Sequence, residues 1–222
     1  MTGVVIFKGM KIGFLPGDLL ISFNDGDSKA VLSTSYNVIP IFIKIAKDAL
    51  KQSKSASEEI SKKWDNNPDH QIEMLLAELA PSMQVIISCG ICLDALYDTL
   101  RPHAKISAQD IEKWKDNRTS RRKQILEVIR RTYNLKNEDK HRDMAVHPSV
   151  ELQNAIHRPD INVGVDWKFA VYSFSNAERW FNNTINILGY LYDNKAKIPE
   201  VDENISNIID ALIELKVVKL NY

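Results

Sequence analysis

Arg142 and His147 stand five positions apart, with Asp143 directly after the arginine and Pro148 directly after the histidine. No other stretch of the chain is so well suited to phosphodiester chemistry. A guanidinium stays charged and holds a phosphate through two parallel N–H bonds, while an imidazole titrates near neutrality and can take or give a proton. On an unbroken helix, five residues at about 100° each leave the two side chains about 140° apart, so a plain helix does not bring them together. Pro148 biases His147 away from helical dihedrals, which predicts that the helix ends there and lets the imidazole swing toward Arg142. A second copy of the motif across a dimer would serve equally well. Lys140 and His141 add donors beside the arginine. The candidate catalytic set is therefore Arg142, Asp143 and His147, with Lys140 and His141 as substrate-binding neighbours. The structural alternatives are that Arg142 pins its helix through a carboxylate, that His147 caps a helix C-terminus, and that His141 is a solvated helix residue.

RNA cleavage without a metal requires a base for the 2′-hydroxyl proton, a cation to stabilise charge on the phosphate, and an acid for the leaving 5′-oxygen. His147 and Arg142 supply the first two, and a second His147 in a symmetric dimer would supply the third. A metal reading would draw on His141, His147 and His157 with Asp139 or Asp143, but the spacing matches no His-Glu-x-x-His pattern, so neither metal nor cofactor is expected. There is no Gly-rich phosphate loop of the nucleoside-triphosphate or dinucleotide kind.

An arginine, a polar residue, a few further positions and a histidine, all following a helical hairpin, resemble the HEPN superfamily (higher eukaryote and prokaryote nucleotide-binding domains). Arg142, Asp143 and His147 occupy the three motif places, and the resemblance covers about residues 68–195 by helix order. It implies a helical bundle acting as a metal-independent endoribonuclease, with a composite active site at a homodimer interface and Asp143 orienting Arg142 or lining the phosphate pocket. It also implies RNA as substrate, a toxin or antiviral role, and an antitoxin or other regulatory protein as partner. In one branch of the family a tyrosine two residues after the motif histidine is modified; here Ser149 stands in that place, a departure from that branch. The same motif in a binding module would hold RNA or a nucleotide, or support a dimer, without cleavage.

Charge frames these expectations. Lys plus Arg and Asp plus Glu are both 29, so any site for a polyanion must be local. Between Lys113 and Arg131, eight Lys or Arg face only Asp116 and Glu127, a local net of +6. This stretch reads either as a solvated helix face laced with ion pairs or as a phosphate-binding slope, and in the second case Arg121 and Arg122 join the substrate-binding candidates. The beginning of the chain lacks a secretory pattern, and the apolar run from Met83 to Leu96 is short of a bilayer span and includes Asp94. A cytoplasmic protein with no membrane partner is expected. Cys89 and Cys92 form a Cys-x-x-Cys inside a helical apolar run, which favours reduced core thiols over redox or metal chemistry.

The elements that must position the motif are mostly helical. Residues 1–67 read as a small antiparallel β meander (Val4–Lys8, Lys11–Leu15, Leu19–Phe23, Lys29–Ser33) followed by a helix from Tyr36, a break at Ser53–Ser57, and a short helix at Glu58–Trp64. Residues 68–195 read as the HEPN-like helical domain. Asp69 is expected to cap a helix over Gln71–Leu100 that Pro81 kinks or splits. Helices follow at Ser107–Trp114 and from Thr119 or Ser120 to Tyr133, the latter burying Ile125, Leu126, Val128, Ile129 and Tyr133. Trp114 and Tyr133 are expected in the core and not as base-stacking platforms. A surface connection is expected over Pro148–Asp166. Trp167–Ser173 reads as a strand or an early helical turn, and a Ser175-to-Glu178 capping box starts a helix through Tyr192. Residues 196–222 carry an amphipathic helix, Val201–Leu215, that packs on the bundle or on a partner.

Overall fold

The computed structural model describes residues 15–23, 30–34, 37–135 and 155–218. Within these the chain is mainly α, with two small antiparallel hairpins. β1 (Leu19–Phe23) pairs with β2 (Ala30–Thr34), Ile21 opposite Leu32. These are the last two strands of the expected meander; the first strand and most of the second lie outside the described residues.

Asn37 begins α1 (Val38–Lys63) by accepting a hydrogen bond from the Ile39 N–H. The expected break at Ser53–Ser57 is absent, and α1 runs through it. Serine favours a break only when its hydroxyl competes with the backbone, and here the hydroxyls have uses inside the helix. Ser55 and Ser61 donate to the carbonyls of Lys51 and Ser57 one turn back, and buried Ser53 meets Ser82 at 2.7 Å.

α2 (Pro68–Leu100) starts earlier than the sequence suggests, because Asn67 and not Asp69 is its cap, accepting from the N–H groups of Asp69 and His70. Pro68 then sits in the first turn, where a missing N–H costs nothing. Pro81 does not split the helix. The bond it removes belongs to the carbonyl of Ala77, an exposed residue, where water can serve the oxygen. A four-residue link turns α2 back on α1, and the pairs Ile39–Cys92 and Ser53–Ser82 show the two helices running antiparallel. Together with the 3-10 turn at Arg101–His103, α2 is long and apolar enough to cross a membrane by length and composition, a longer apolar stretch than the Met83–Leu96 run. In this fold it is the central helix, its buried side including Val85, Cys89, Leu96 and Leu100, while Ile72, Leu76 and Ile87 stay about half exposed at 52%, 49% and 50%.

α3 (Ala108–Asp116) carries a capping box between Ser107 and Asp110, and α4 (Arg121–Thr132) lies against α2. The span from 155 to 166 is not a plain surface connection. It contains a hairpin of β3 (Ile156–Arg158) and β4 (Val163–Val165), strands of three residues that are too short to leave a periodic signal. α5 (Trp167–Val171) is a separate short helix capped by Asp166. α6 (Phe174–Asn194) is preceded by Ser173 at its N-cap, so Ser175 lies inside the helix and the expected capping box does not form. α7 (Pro199–Glu214) packs on α1 and α6 through Val201, Ile205, Ile208 and Leu212. Just past its C-terminus, Lys47 of α1 ties down the chain, its Nζ donating to Lys216 O at 2.6 Å and Val217 O at 2.8 Å.

One apolar core runs through all three sequence segments, joining Ile39 of α1, Leu96 of α2, Val128 of α4, Leu188 of α6 and Ile208 of α7. A smaller cluster of Ile60, Met74, Leu75, Ile161 and Val165 fastens the second hairpin beneath the α1–α2 turn. Between the two lies a buried ion pair. Arg158 Nη1 donates to Glu78 Oε2 at 2.5 Å, with side-chain exposures of 5% and 2%. The other Glu78 oxygen accepts the Phe174 N–H at the start of α6 at 2.8 Å, and Asp160 takes the remaining fork of the guanidinium at 3.1 and 2.5 Å.

Leaving one member of such a pair alone in the interior costs about 3–5 kcal/mol. Arg158→Ala, which strands Glu78, is expected to lower unfolding free energy by that amount in urea titrations, and Glu78→Ala, which leaves Arg158 its Asp160 partner, by less. The Glu78→Leu/Arg158→Leu double variant is expected to lose less than the sum of the two single changes.

Candidate functional site

Arg142, Asp143, His147, Lys140 and His141 lie outside the described residues. Of the sequence-derived site residues the structure places Arg121 and Arg122, both in the first turn of α4. Asn117, Arg118, Thr119 and Ser120 separate α3 from α4, and the buried residues Ile125, Val128, Ile129 and Thr132 hold α4 against α2. This fixes where the basic first turn projects.

Arg121 is engaged by α2. Its Nε donates to Asp94 Oδ1 at 2.8 Å, a terminal nitrogen approaches Asp98 Oδ1 at 3.5 Å, and its guanidinium carbon sits 3.6 Å above the centre of the Tyr97 ring. Asp94, Tyr97 and Asp98 fall at i, i+3 and i+4, the spacing that puts three side chains on one helical face. Arg121 therefore acts as a clamp between α4 and α2. Arg122, half-buried, forms no ion pair among the described residues and faces a groove.

The groove has a volume of about 250 Å³ and lies between α2, α4 and α6. Its walls include Ile86, Gly90 and Leu93 of α2, Leu126 and Ile129 of α4, and Trp180 of α6. Leu126, expected in the core with its neighbours, is only half-buried because it forms this wall. Asp94, Arg121 and Arg122 are the charged groups of the lining. Among the described residues no His, Cys, Ser or Thr lines the groove, and the one carboxylate there is taken by Arg121, so this lining suits binding and not proton transfer.

The rest of the basic stretch divides evenly. Arg130 and Arg131 share Glu127, Arg131 also reaches Asp110 at 2.8 Å, and Lys115 pairs with Glu112. Lys113, Arg118, Arg122 and Lys123 have no ion pair among the described residues. Both readings of the stretch thus have residues to support them, four cations in ion pairs and four with none among the described residues. Trp114 packs against the core and Tyr133 is buried in it, with no partner for its hydroxyl among the described residues; burial raises the Tyr133 phenol well above its ordinary range.

Among the described residues no group of three or more His, Cys, Asp or Glu is arranged to hold a metal ion. His157, one candidate ligand, meets Asn162 Oδ1 at 3.0 Å on the second hairpin. Cys89 and Cys92 are free and buried. Burial pushes the Cys89 thiol up to about 11 against a hydrogen bond from Thr184, and burial followed by the neighbouring Cys89 raises Cys92 further. Burial thus favours the neutral thiol at both positions, the less nucleophilic form.

Sequence reasoning missed the Glu78–Arg158 pair because Arg158 falls in what reads as a loop. A signal was present on the other partner: Glu78 lies in helical register with Met74, Ser82 and Val85, a charge on the inward stripe of α2. Compared with protein-family models, with curated proteins and with solved structures, the chain matches none.

Two outcomes follow from these environments. In the native protein at pH 8, Cys89 and Cys92 are expected to resist a disulfide-exchange thiol reagent, and both are expected to react once the chain is unfolded in guanidinium. The hydrogen bond from Arg131 holds the Asp110 carboxyl below its ordinary range, and that from Arg130, opposed by burial and aided by Arg131, does the same for Glu127. Groups with depressed folded values stabilise the fold above the unfolded carboxylate range, near pH 4, and that contribution disappears as pH falls through the folded values. Acid titration of unfolding is therefore expected to show a shallower loss of stability below about pH 4 in Arg131→Ala than in the wild type.

Proposed function

We propose that this chain is a metal-independent endoribonuclease of the HEPN kind, acting as a homodimer with a composite active site. The observation that carries the reading is Arg142-Asp143 followed by His147-Pro148 in a chain whose described part is mainly helical. His147 takes the proton from a ribose 2′-hydroxyl, the freed oxygen attacks the adjacent phosphorus, and the bond to the 5′-oxygen breaks. Arg142 stabilises the phosphate as charge builds, Asp143 orients Arg142, and the partner copy of His147 returns a proton to the leaving oxygen. The products are a 2′,3′-cyclic phosphate and a 5′-hydroxyl. Lys140, His141 and the outward-facing Arg122 bind RNA phosphates, with Arg118 and Lys123 extending the track along α3 and α4. Arg121 contributes as the residue that sets α4 on α2. A toxin or antiviral role in the cytoplasm, held in check by an antitoxin or other regulatory protein, is the biological setting this chemistry suits.

A second reading is a module that binds RNA or a nucleotide without cutting it; it is favoured by Lys113, Arg118, Arg122 and Lys123, which have no ion pair among the described residues and offer phosphate contacts with no proton-transfer group beside them. Cleavage of single-stranded RNA in excess chelator separates the two. Arg142→Ala is expected to lower the rate about 10²–10³-fold and His147→Ala about 10²–10⁴-fold, with unfolding midpoints unchanged and a 2′-deoxy substrate left intact. Retention of full cleavage by either variant overturns the enzymatic reading, and salt-sensitive RNA binding without cleavage by the wild type assigns the module.

A further inference from the structure

Gly90 occupies an interior position of α2, where glycine is a poor helix former. A close approach within the chain would account for it, but among the described residues a Cβ built at Gly90 meets nothing within 4 Å. The absent side chain leaves open space in the wall of the α2–α4–α6 groove. The floor around it is apolar, formed by residues such as Ile86, Leu93, Ile129 and Trp180. The lining carries two guanidiniums against one carboxylate, and since Arg121 is held by Asp94, Asp98 and Tyr97, the remaining positive charge belongs to Arg122. An apolar chamber with one guanidinium that has no ion pair among the described residues fits a ligand with an apolar body and a single negative head.

We propose that this groove binds a monoanionic amphiphile, typified by a medium-length alkyl carboxylate. The chain lies past Gly90 on the apolar floor, and the carboxylate pairs with Arg122 through parallel N–H bonds. A volume of about 250 Å³ suits a medium-length chain better than a larger ligand. A polyanion such as RNA gains nothing from the apolar floor; Arg122 is shared with the proposed RNA track, but Gly90 and the floor are not, so amphiphile binding can fail while cleavage stands, and the reverse.

Calorimetric titration of the full chain with hexanoate, octanoate and decanoate, all below their micellar concentrations, tests the assignment. The expected result is one site per chain with affinity rising about fourfold per added methylene. Decyltrimethylammonium, of equal chain length and opposite charge, is expected not to bind. Arg122→Gln is expected to weaken decanoate binding about tenfold or more while leaving decanol unaffected. Gly90→Leu fills the chamber with a better helix former, so decanoate binding is expected to vanish with the thermal midpoint unchanged or raised. Decanoate binding that survives Gly90→Leu, that takes many ligands per chain, or that the cationic amphiphile matches overturns the proposal. So does an acidic amphipathic peptide that binds the groove when decanoate does not, which would assign the surface to a protein partner.

Discussion

A carboxylate with almost no access to water sets the arrangement of the second half of the chain. Glu78 lies on the inward side of α2, and each of its oxygens is occupied, one by the Arg158 guanidinium and the other by the first backbone N–H of α6. Desolvating a charge is expensive, and the expense is offset only if every lone pair finds a donor. The second hairpin, the start of α6 and the middle of α2 must therefore sit where those donors converge. The N-terminal end of α6 also presents the positive end of its dipole to the same carboxylate. Arg158 completes the network by using its other nitrogens on Asp160 and the Phe169 carbonyl, so the guanidinium too is satisfied.

Helical periodicity made the main elements legible in the sequence. The apolar spacings of α2, α4, α6 and α7 are regular, and the strand at Leu19–Phe23 and the helix starting after Ser107 stand where their residue types suggest. Boundaries were less legible because several residues qualify for the same capping role. Asn67 and Asp69, or Ser173 and Ser175, are equally good acceptors on paper, and only the direction of the preceding chain decides between them. The serine-rich stretch of α1 misled for a related reason: serine weakens an exposed helix, but Ser53 faces a partner helix where its hydroxyl is matched.

The candidate site was legible in two different ways. Arg142 and His147 are recognisable by chemistry and spacing alone, which is a property of sequence. The groove beside α4 is a property of packing, since nothing in the local pattern shows that Ile125, which the core buries, and Leu126, which it half-buries, both line it. The division of labour between Arg121 and Arg122 was likewise invisible. Adjacent arginines look alike in a charge count, yet one helical step of about 100° turns the first toward the acidic face of α2 and the second toward the groove. A local excess of positive charge thus overstates what a ligand can use, because part of it serves as mortar between helices.

The hydroxyls of Ser53 and Ser82 satisfy each other inside the α1–α2 interface. Apolar side chains alone would let two long antiparallel helices slide by a turn, about 5.4 Å, with modest loss of contact. Such a slip would strand both oxygens among hydrocarbon, so the pair works as a registration pin that penalises every misaligned hairpin. It also couples the two positions through descent: either serine changed alone leaves an orphaned polar atom, whereas both changed together leave only a drier seam.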